Sequence, residues 1–439
     1  MRRRRALGCV LLGAALANAL GGCASTLDSL GTDLTSNAGS AGSAGLGMAA
    51  SAGAPPVYDT LKAVKGPDTY YNAFKALLGK TDAQIADKLR LGFAQLFHPN
   101  AADAATQAIY NEQGDDQALI YDALHNDVRT EGIGLAMIIT VELDKQDEFD
   151  RLWRYAKAVR QQTSGPAQGY FNSFCGEDAP GTACFDSYGM QHFVLALMLA
   201  NGRWQSTPEM PYATDALALL DLLQNKEARN GGVVMGIGSA FDARTHLVRE
   251  EPTLADAGFT TRSALEMPAA YWYWGQATGN PFWSTAAVAA REHLLKAADS
   301  KTGLWPMRSY FDGSPVEGSP GFTAQAYRTQ LNLALDALWG TAGTGQGELA
   351  DRLLAFFDSK GPNSATFSID GTALDNNRAE ALISVNGALA IAASGADANR
   401  KDFADAVWSQ PIPSGDNRYY DGLLYLMSLL VLSGQLQVY

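Results

Sequence analysis

The stretch Asn126-Asp127-Val128-Arg129-Thr130-Glu131-Gly132-Ile133-Gly134-Leu135-Ala136 concentrates the chemistry of this chain. A charged, polar turn gives way at once to the apolar run Ile133–Leu143, which sets Glu131 at the mouth of a buried helix. A carboxylic acid partly removed from water holds its proton more tightly and can act as a general acid near neutral pH. The same residues also read as an ordinary helix start, with Thr130 as cap and Glu131 complementing the helix dipole. Local chemistry leaves both readings open.

Other catalytic templates are missing. There is no GxSxG elbow, no HExxH and no phosphate-binding loop. Asp115-Asp116 has no His or Glu partner at ligand spacing, and His192 stands alone on a helix as a core or rim residue. No metal site and no cofactor are expected.

The elements that must position Glu131 are helices. Segments of helical character fall near 69–79, 82–97, 131–144, 146–163, 187–202, 212–225, 263–278 and 282–299. Four more fall near 323–340, 345–359, 378–394 and 417–435. Ile85, Leu89, Phe93 and Leu96 recur at the helical period. Gly132–Val141 and Val194–Leu199 are small and apolar on nearly every side. Fully buried helices alternating with half-buried ones predict an inner ring wrapped by an outer ring, an (α/α)6 barrel. No fixed-period repeat supports a solenoid instead. Val233–Leu247, alternating around Gly236–Gly238, predicts a β-hairpin inserted at the barrel mouth.

The N-terminal part reads as targeting. Arg2–Arg5 precede the apolar stretch Ala6–Leu20, which is short for a membrane span. Leu20-Gly21-Gly22-Cys23 then resembles a bacterial lipoprotein signal, with residues 1–22 removed and lipid placed on Cys23. Ala24 after that cysteine points to the outer membrane. Residues 23–56, centred on Ser40-Ala41-Gly42-Ser43-Ala44-Gly45, have the composition of a flexible tether. Residues 57–439 then form one large domain. Without residues 1–23 the chain carries 29 Lys and Arg against 46 Asp and Glu, a net charge of −17. Such a surface argues against nucleic acid or polyanionic substrates as partners and fits neutral or cationic ligands. Membrane contact is expected through the lipid alone, and the protein is expected as a monomer. Cys175 and Cys184 flank a Gly/Pro loop and are a disulfide pair for an exported protein.

Asn126–Trp153 (NDVRTEGIGLAMIITVELDKQDEFDRLW) resembles the signature of glycoside hydrolase family 8, with wording similar to the reducing-end xylose-releasing exo-oligoxylanases. The likeness continues through Tyr170-Phe171, the Phe193–Ala200 run with Arg203-Trp204, and Lys301-Thr302-Gly303-Leu304. It extends to Tyr310-Phe311-Asp312-Gly313 and Ala326-Tyr327-Arg328 with Asn332 and Asp336. The resemblance implies an (α/α)6 barrel of inverting β-1,4-glycanases acting on xylan oligomers, cellulose or chitosan. It implies Glu131 as general acid and Asp127, Arg129, Tyr188, Tyr327 and Arg328 as substrate-binding positions.

Inversion needs a second carboxylate, roughly 6.5–9.5 Å from the first, to activate a water. The resemblance places an Asp where this chain has Gln325, whose amide cannot take a proton. It also implies Asp-Gly where the chain has Tyr188-Gly189, a stacking aromatic at Ser173, and Tyr-His at Leu265-Glu266. Glu317, in a Gly/Pro loop, is a candidate substitute base, and Asp186 a second. Loss of hydrolysis is the alternative, leaving a cell-surface glycan-binding or scaffolding barrel with Tyr188, Trp272, Trp274 and Trp305 as stacking faces.

Overall fold

The computed structural model describes residues 58, 60–173, 185, 187–252, 259–319, 321–395 and 397–439. Cys23, Cys175, Cys184, Phe174 and Asp186 lie outside the described residues, so the lipidation, tether and disulfide expectations concern positions not described.

A short helix α1 (Ala73–Leu78) leads into α2 (Asp82–Phe97). Thr81 and Gln84 close a reciprocal capping box at the start of α2, and Ile85, Leu89, Phe93 and Leu96 form its buried stripe, as their spacing predicts. After α3 (Ala104–Gln107), strands β1 (Tyr110–Gln113), β2 (Gln117–Asp122) and β3 (Asp127–Val128) make an antiparallel meander.

Helices then alternate between two environments. One set is buried nearly all round: α4 (Thr130–Glu142), α6 (Ser187–Trp204), α8 (Pro268–Thr278), α10 (Arg328–Leu338), α12 (Glu380–Ala388) and α14 (Arg418–Leu432). The other set is half-buried: α5 (Gln146–Tyr155), α7 (Tyr212–Asn230), α9 (Pro281–Ala297), α11 (Gln346–Lys360) and α13 (Asp397–Ser409), together with α2. Each buried helix packs on its half-buried neighbour in sequence, and α14 closes the ring by packing on α4. Hydrogen bonds from Gln191 to the Leu265 carbonyl and from Tyr271 to Gln191 tie α6 to α8. This is the expected inner and outer ring.

Two expectations change. Val233–Leu247 forms no paired strands, only the isolated bridges Val234↔Ile237 and Phe241↔Val248. Asp242 explains this: its carboxylate accepts from the backbone of Arg244 and Thr245, folding the chain into a turn. The second sheet instead joins β4 (Thr260–Thr261) to β5 (Ser309–Tyr310). Helix α13 has no counterpart among the expected segments. No helix among the described residues is long and apolar enough to cross a membrane.

Candidate active site

The meander delivers the chain into α4 along a fixed path. Tyr121 pairs with Val128 and Asp122 with Asp127 across β2–β3. Asp122 is buried and holds the turn, accepting from the Leu124 and His125 amides at 3.1 and 3.4 Å and facing His125 Nδ1 at 2.7 Å. Asp127 then grips Arg129, with Nε at 3.0 and 3.2 Å from its two oxygens and Nη2 at 2.9 Å. Two residues before Glu131 are therefore locked by charge and hydrogen bonding.

Every residue of α4 is buried except Glu131. Thr130 does not cap: the helix cap is Arg129, without a side-chain capping bond. The reason is packing. A Cβ on Gly189 would lie 2.4 Å from Thr130 Oγ1, so Thr130 is wedged against α6. On the other side a Cβ on Gly132 would lie 2.4 Å from the Tyr419 ring of α14. Two glycines thus bring α4, α6 and α14 together around Glu131.

Glu131 keeps 17 % of its side chain exposed and forms an ion pair with Arg328 Nη1. Arg328 is itself buried between rings, its guanidinium 3.9 Å from the Tyr188 centroid and 5.8 Å from that of Tyr420. Sequence reasoning weighed burial and the helix dipole at Glu131. The structure adds a cation in direct contact with its carboxylate.

Gln325 sits on the same rim, three residues before Arg328. Its Oε1 accepts from Arg262, whose Nε donates to Glu250 Oε1 at 2.7 Å. The other Glu250 oxygen takes Arg308 Nε at 2.5 Å. Glu317 lies on the loop after β5. That loop folds back on Arg308, with Val316 N donating to the Arg308 carbonyl and Arg308 N to Ser319 Oγ. Glu317 is exposed.

The remaining expected positions divide. Asp127, Arg129, Tyr188 and Arg328 cluster around Glu131. Tyr327 turns inward, 2 % exposed, with its hydroxyl donating to the Ala365 carbonyl. Trp274 and Trp305 are core residues with no exposed face, because rings of that size fill the space between the two helix layers. Trp272 is half-buried. His192 is core, and burial pushes its pKa down to about 4. Ser173, where an aromatic was expected, accepts from Thr130 N through its carbonyl. Glu266 is fully buried, its carboxyl pushed up to about 8 by burial, with one oxygen unpartnered. A void of about 10 Å³ among Leu135, Tyr188, His192 and Leu331 shows how tightly the barrel axis is filled beneath the rim.

Residues 110–434 match the family model described as glycosyl hydrolases family 8. The chain belongs to glycosyl hydrolase family 8. It is 31% identical over 380 residues to a reducing end xylose-releasing exo-oligoxylanase of Halalkalibacterium halodurans, covering 84% of this chain and 94% of that protein. It is 26% identical over 318 residues to endoglucanase C of Ruminiclostridium cellulolyticum, covering 70% of this chain and 64% of that protein. The solved structure of a Paenibacillus barcinonensis relative complexed with xylose superposes with a TM-score of 0.77 at 29% identity, covering 85% of this chain and all of that one. Family 8 membership makes the chain a glycoside hydrolase by descent, with inversion as the family's general mechanism.

Sequence reasoning missed Glu250, Arg262, Arg308, Tyr419 and Tyr420. Each comes from a loop or helix end distant from the signature, and a single charged or aromatic residue there carries no periodic signal.

Proposed function

We propose that this protein hydrolyses β-1,4-linked xylo-oligosaccharides with inversion, Glu131 protonating the leaving oxygen. The observation that carries the reading is the placement of Glu131. It is the one unburied residue of α4, in register with the family signature and framed by Asp127, Arg129 and Arg328. Xylo-oligosaccharide is favoured because relatives named as xylose-releasing exo-oligoxylanases match at higher identity and coverage than the endoglucanases.

Glu317 is the carboxylate we assign to water activation. It is exposed on the loop that folds onto Arg308, and Arg308 is joined through Glu250 and Arg262 to Gln325. In this scheme a water loses its proton to Glu317 as it attacks the anomeric carbon, while Glu131 gives its proton to the departing sugar oxygen.

Incubating the wild type and Glu131→Gln with xylo-, cello- and chito-oligosaccharides tests the acid. Release of sugar by the wild type, reduced about 10²–10⁴-fold in the variant, is expected. Failure of the wild type on all three would reject hydrolysis and favour a glycan-binding barrel. A Glu317→Gln variant is expected to lose kcat by a similar factor with KM little changed; full activity would remove Glu317 from the mechanism. The basic start, apolar stretch and Cys23 support an exported, lipid-anchored location, which loss of palmitate labelling in Cys23→Ala would test.

A further inference from the structure

The position of Gln325 raises the question of what its amide offers a ligand. Arg262 answers it. A guanidinium carries donors and no acceptor, so the group it meets on Gln325 has to be the oxygen. The nitrogen Nε2, with two donors, is left free of this contact on an exposed side chain.

Arg262 is held in turn. In the β4–β5 register Thr261 opposes Ser309, which sets Arg262 and Arg308 opposite one another at the ends of the two strands. Like charges opposed across a strand pair repel. Glu250 resolves the conflict by receiving both, Arg262 on Oε1 and Arg308 on Oε2, with its side chain only 11 % exposed. The chain of contacts Arg308–Glu250–Arg262–Gln325 fixes one amide in one orientation.

That amide cannot activate a nucleophilic water, because neither of its polar atoms takes a proton at neutral pH and Nε2 can only donate. A sugar oxygen asks only for a donor. We propose that Gln325 is a specificity-determining donor that hydrogen-bonds a neutral hydroxyl or ring oxygen of the bound oligosaccharide through Nε2, and that Arg262 and Glu250 are the residues positioning it. The position used for the base elsewhere in the family is here a substrate-binding contact. This inference rests on the proposed oligosaccharide reading of the site.

The test measures Kd for xylotetraose by calorimetry in a Glu131→Gln background, together with KM and kcat in the active protein. Gln325→Leu, Arg262→Met and Glu250→Gln are each expected to weaken binding about five- to tenfold, the size of one neutral hydrogen bond. Their kcat is expected to change less than about threefold, since the lost bond is made in ground and transition state alike. The double variant Arg262→Met/Gln325→Leu is expected to bind as Gln325→Leu alone does, because both remove the same contact. Glu250→Asp, which keeps the charge, is expected to recover binding relative to Glu250→Gln. Unchanged affinity in Gln325→Leu, or additive losses in the double variant, would overturn the proposal. Arg262→Met removes one of the two opposed cations and so does not depend on how well Glu250→Gln folds. If the unsubstituted site neither binds nor cleaves xylo-, cello- or chito-oligosaccharides, the functional reading fails and this inference with it. Binding that is indifferent to Arg262 rejects the inference alone.

Discussion

A general acid has to be held where the leaving oxygen will be, and the Arg328 guanidinium beside Glu131 is in a place to hold it. Substrate entering the rim would compete for the same guanidinium, since Arg328 is flanked by Tyr188 and Tyr420 and has little room to move. Replacing Arg328 by Met removes the charge partner that holds the Glu131 carboxylate. Hydrolysis of xylo-oligosaccharides is therefore expected to fall in Arg328→Met, measured as kcat/KM; an unchanged kcat/KM would show that this ion pair does not serve the acid. At this scale the sequence was informative for Glu131, Asp127 and Arg129, which share one short segment. It was silent on Arg328 as a partner of Glu131, because 197 positions separate them. It also placed Tyr327 on the substrate, whereas the adjoining backbone turns that ring into the core.

Helices α4, α6 and α14 meet at the site because two of their residues lack side chains. Gly189→Ala would set a methyl 2.8 Å from the Thr130 carbonyl carbon as well as against its side chain, so backbone has to shift. We expect Gly189→Ala to lose about 1–3 kcal/mol in urea unfolding, as overpacked cores do, and to lose activity beyond what stability explains. Gly132→Ala meets the end of the Tyr419 side chain, with no backbone atom among its nearest neighbours, and is expected to cost less stability. Equal losses would contradict this distinction between backbone and side-chain neighbours. Most helices were legible from apolar spacing, α2 most clearly, since Ile85, Leu89, Phe93 and Leu96 form one stripe. Helix α13 was not. Its sequence is polar, with Lys401 and Asp402 exposed, and tertiary packing of Ala404 and Val407 decides its conformation. The alternation in Val233–Leu247 suggested strands, and the Asp242 turn overrode it.

Across the molecule, several ionisable groups are buried in forms that water would not favour. Glu142 and Glu266 are pushed up to about 8 by burial, and His192 and His293 down to about 4. The histidines lose protons on folding between about pH 4 and 6.5, so their contribution to stability grows as pH rises through that range. The two glutamates hold protons in the fold that the unfolded chain releases above about 4.5, so stability falls as pH rises towards 8. From pH 6.5 to 8 the glutamates act without opposition from the histidines. Urea midpoints are expected to fall over that interval, by up to about 1.4 kcal/mol per pH unit for each glutamate. Glu266→Gln is expected to flatten the slope; an unchanged slope would assign it to other groups. The ring closure of α14 on α4 has a further consequence, for biogenesis. During synthesis the helix bearing Glu131 emerges well before Tyr419 and Tyr420, which complete its surroundings and stand far downstream in the chain. A partly synthesised chain therefore contains the acid but no finished cleft, and joining two segments so distant in sequence is slow. Turnover recovered during refolding is expected to lag the return of helical circular dichroism. Helix α14 is thus a timing device: the cleft acquires its chemistry only when α14 has docked on α4.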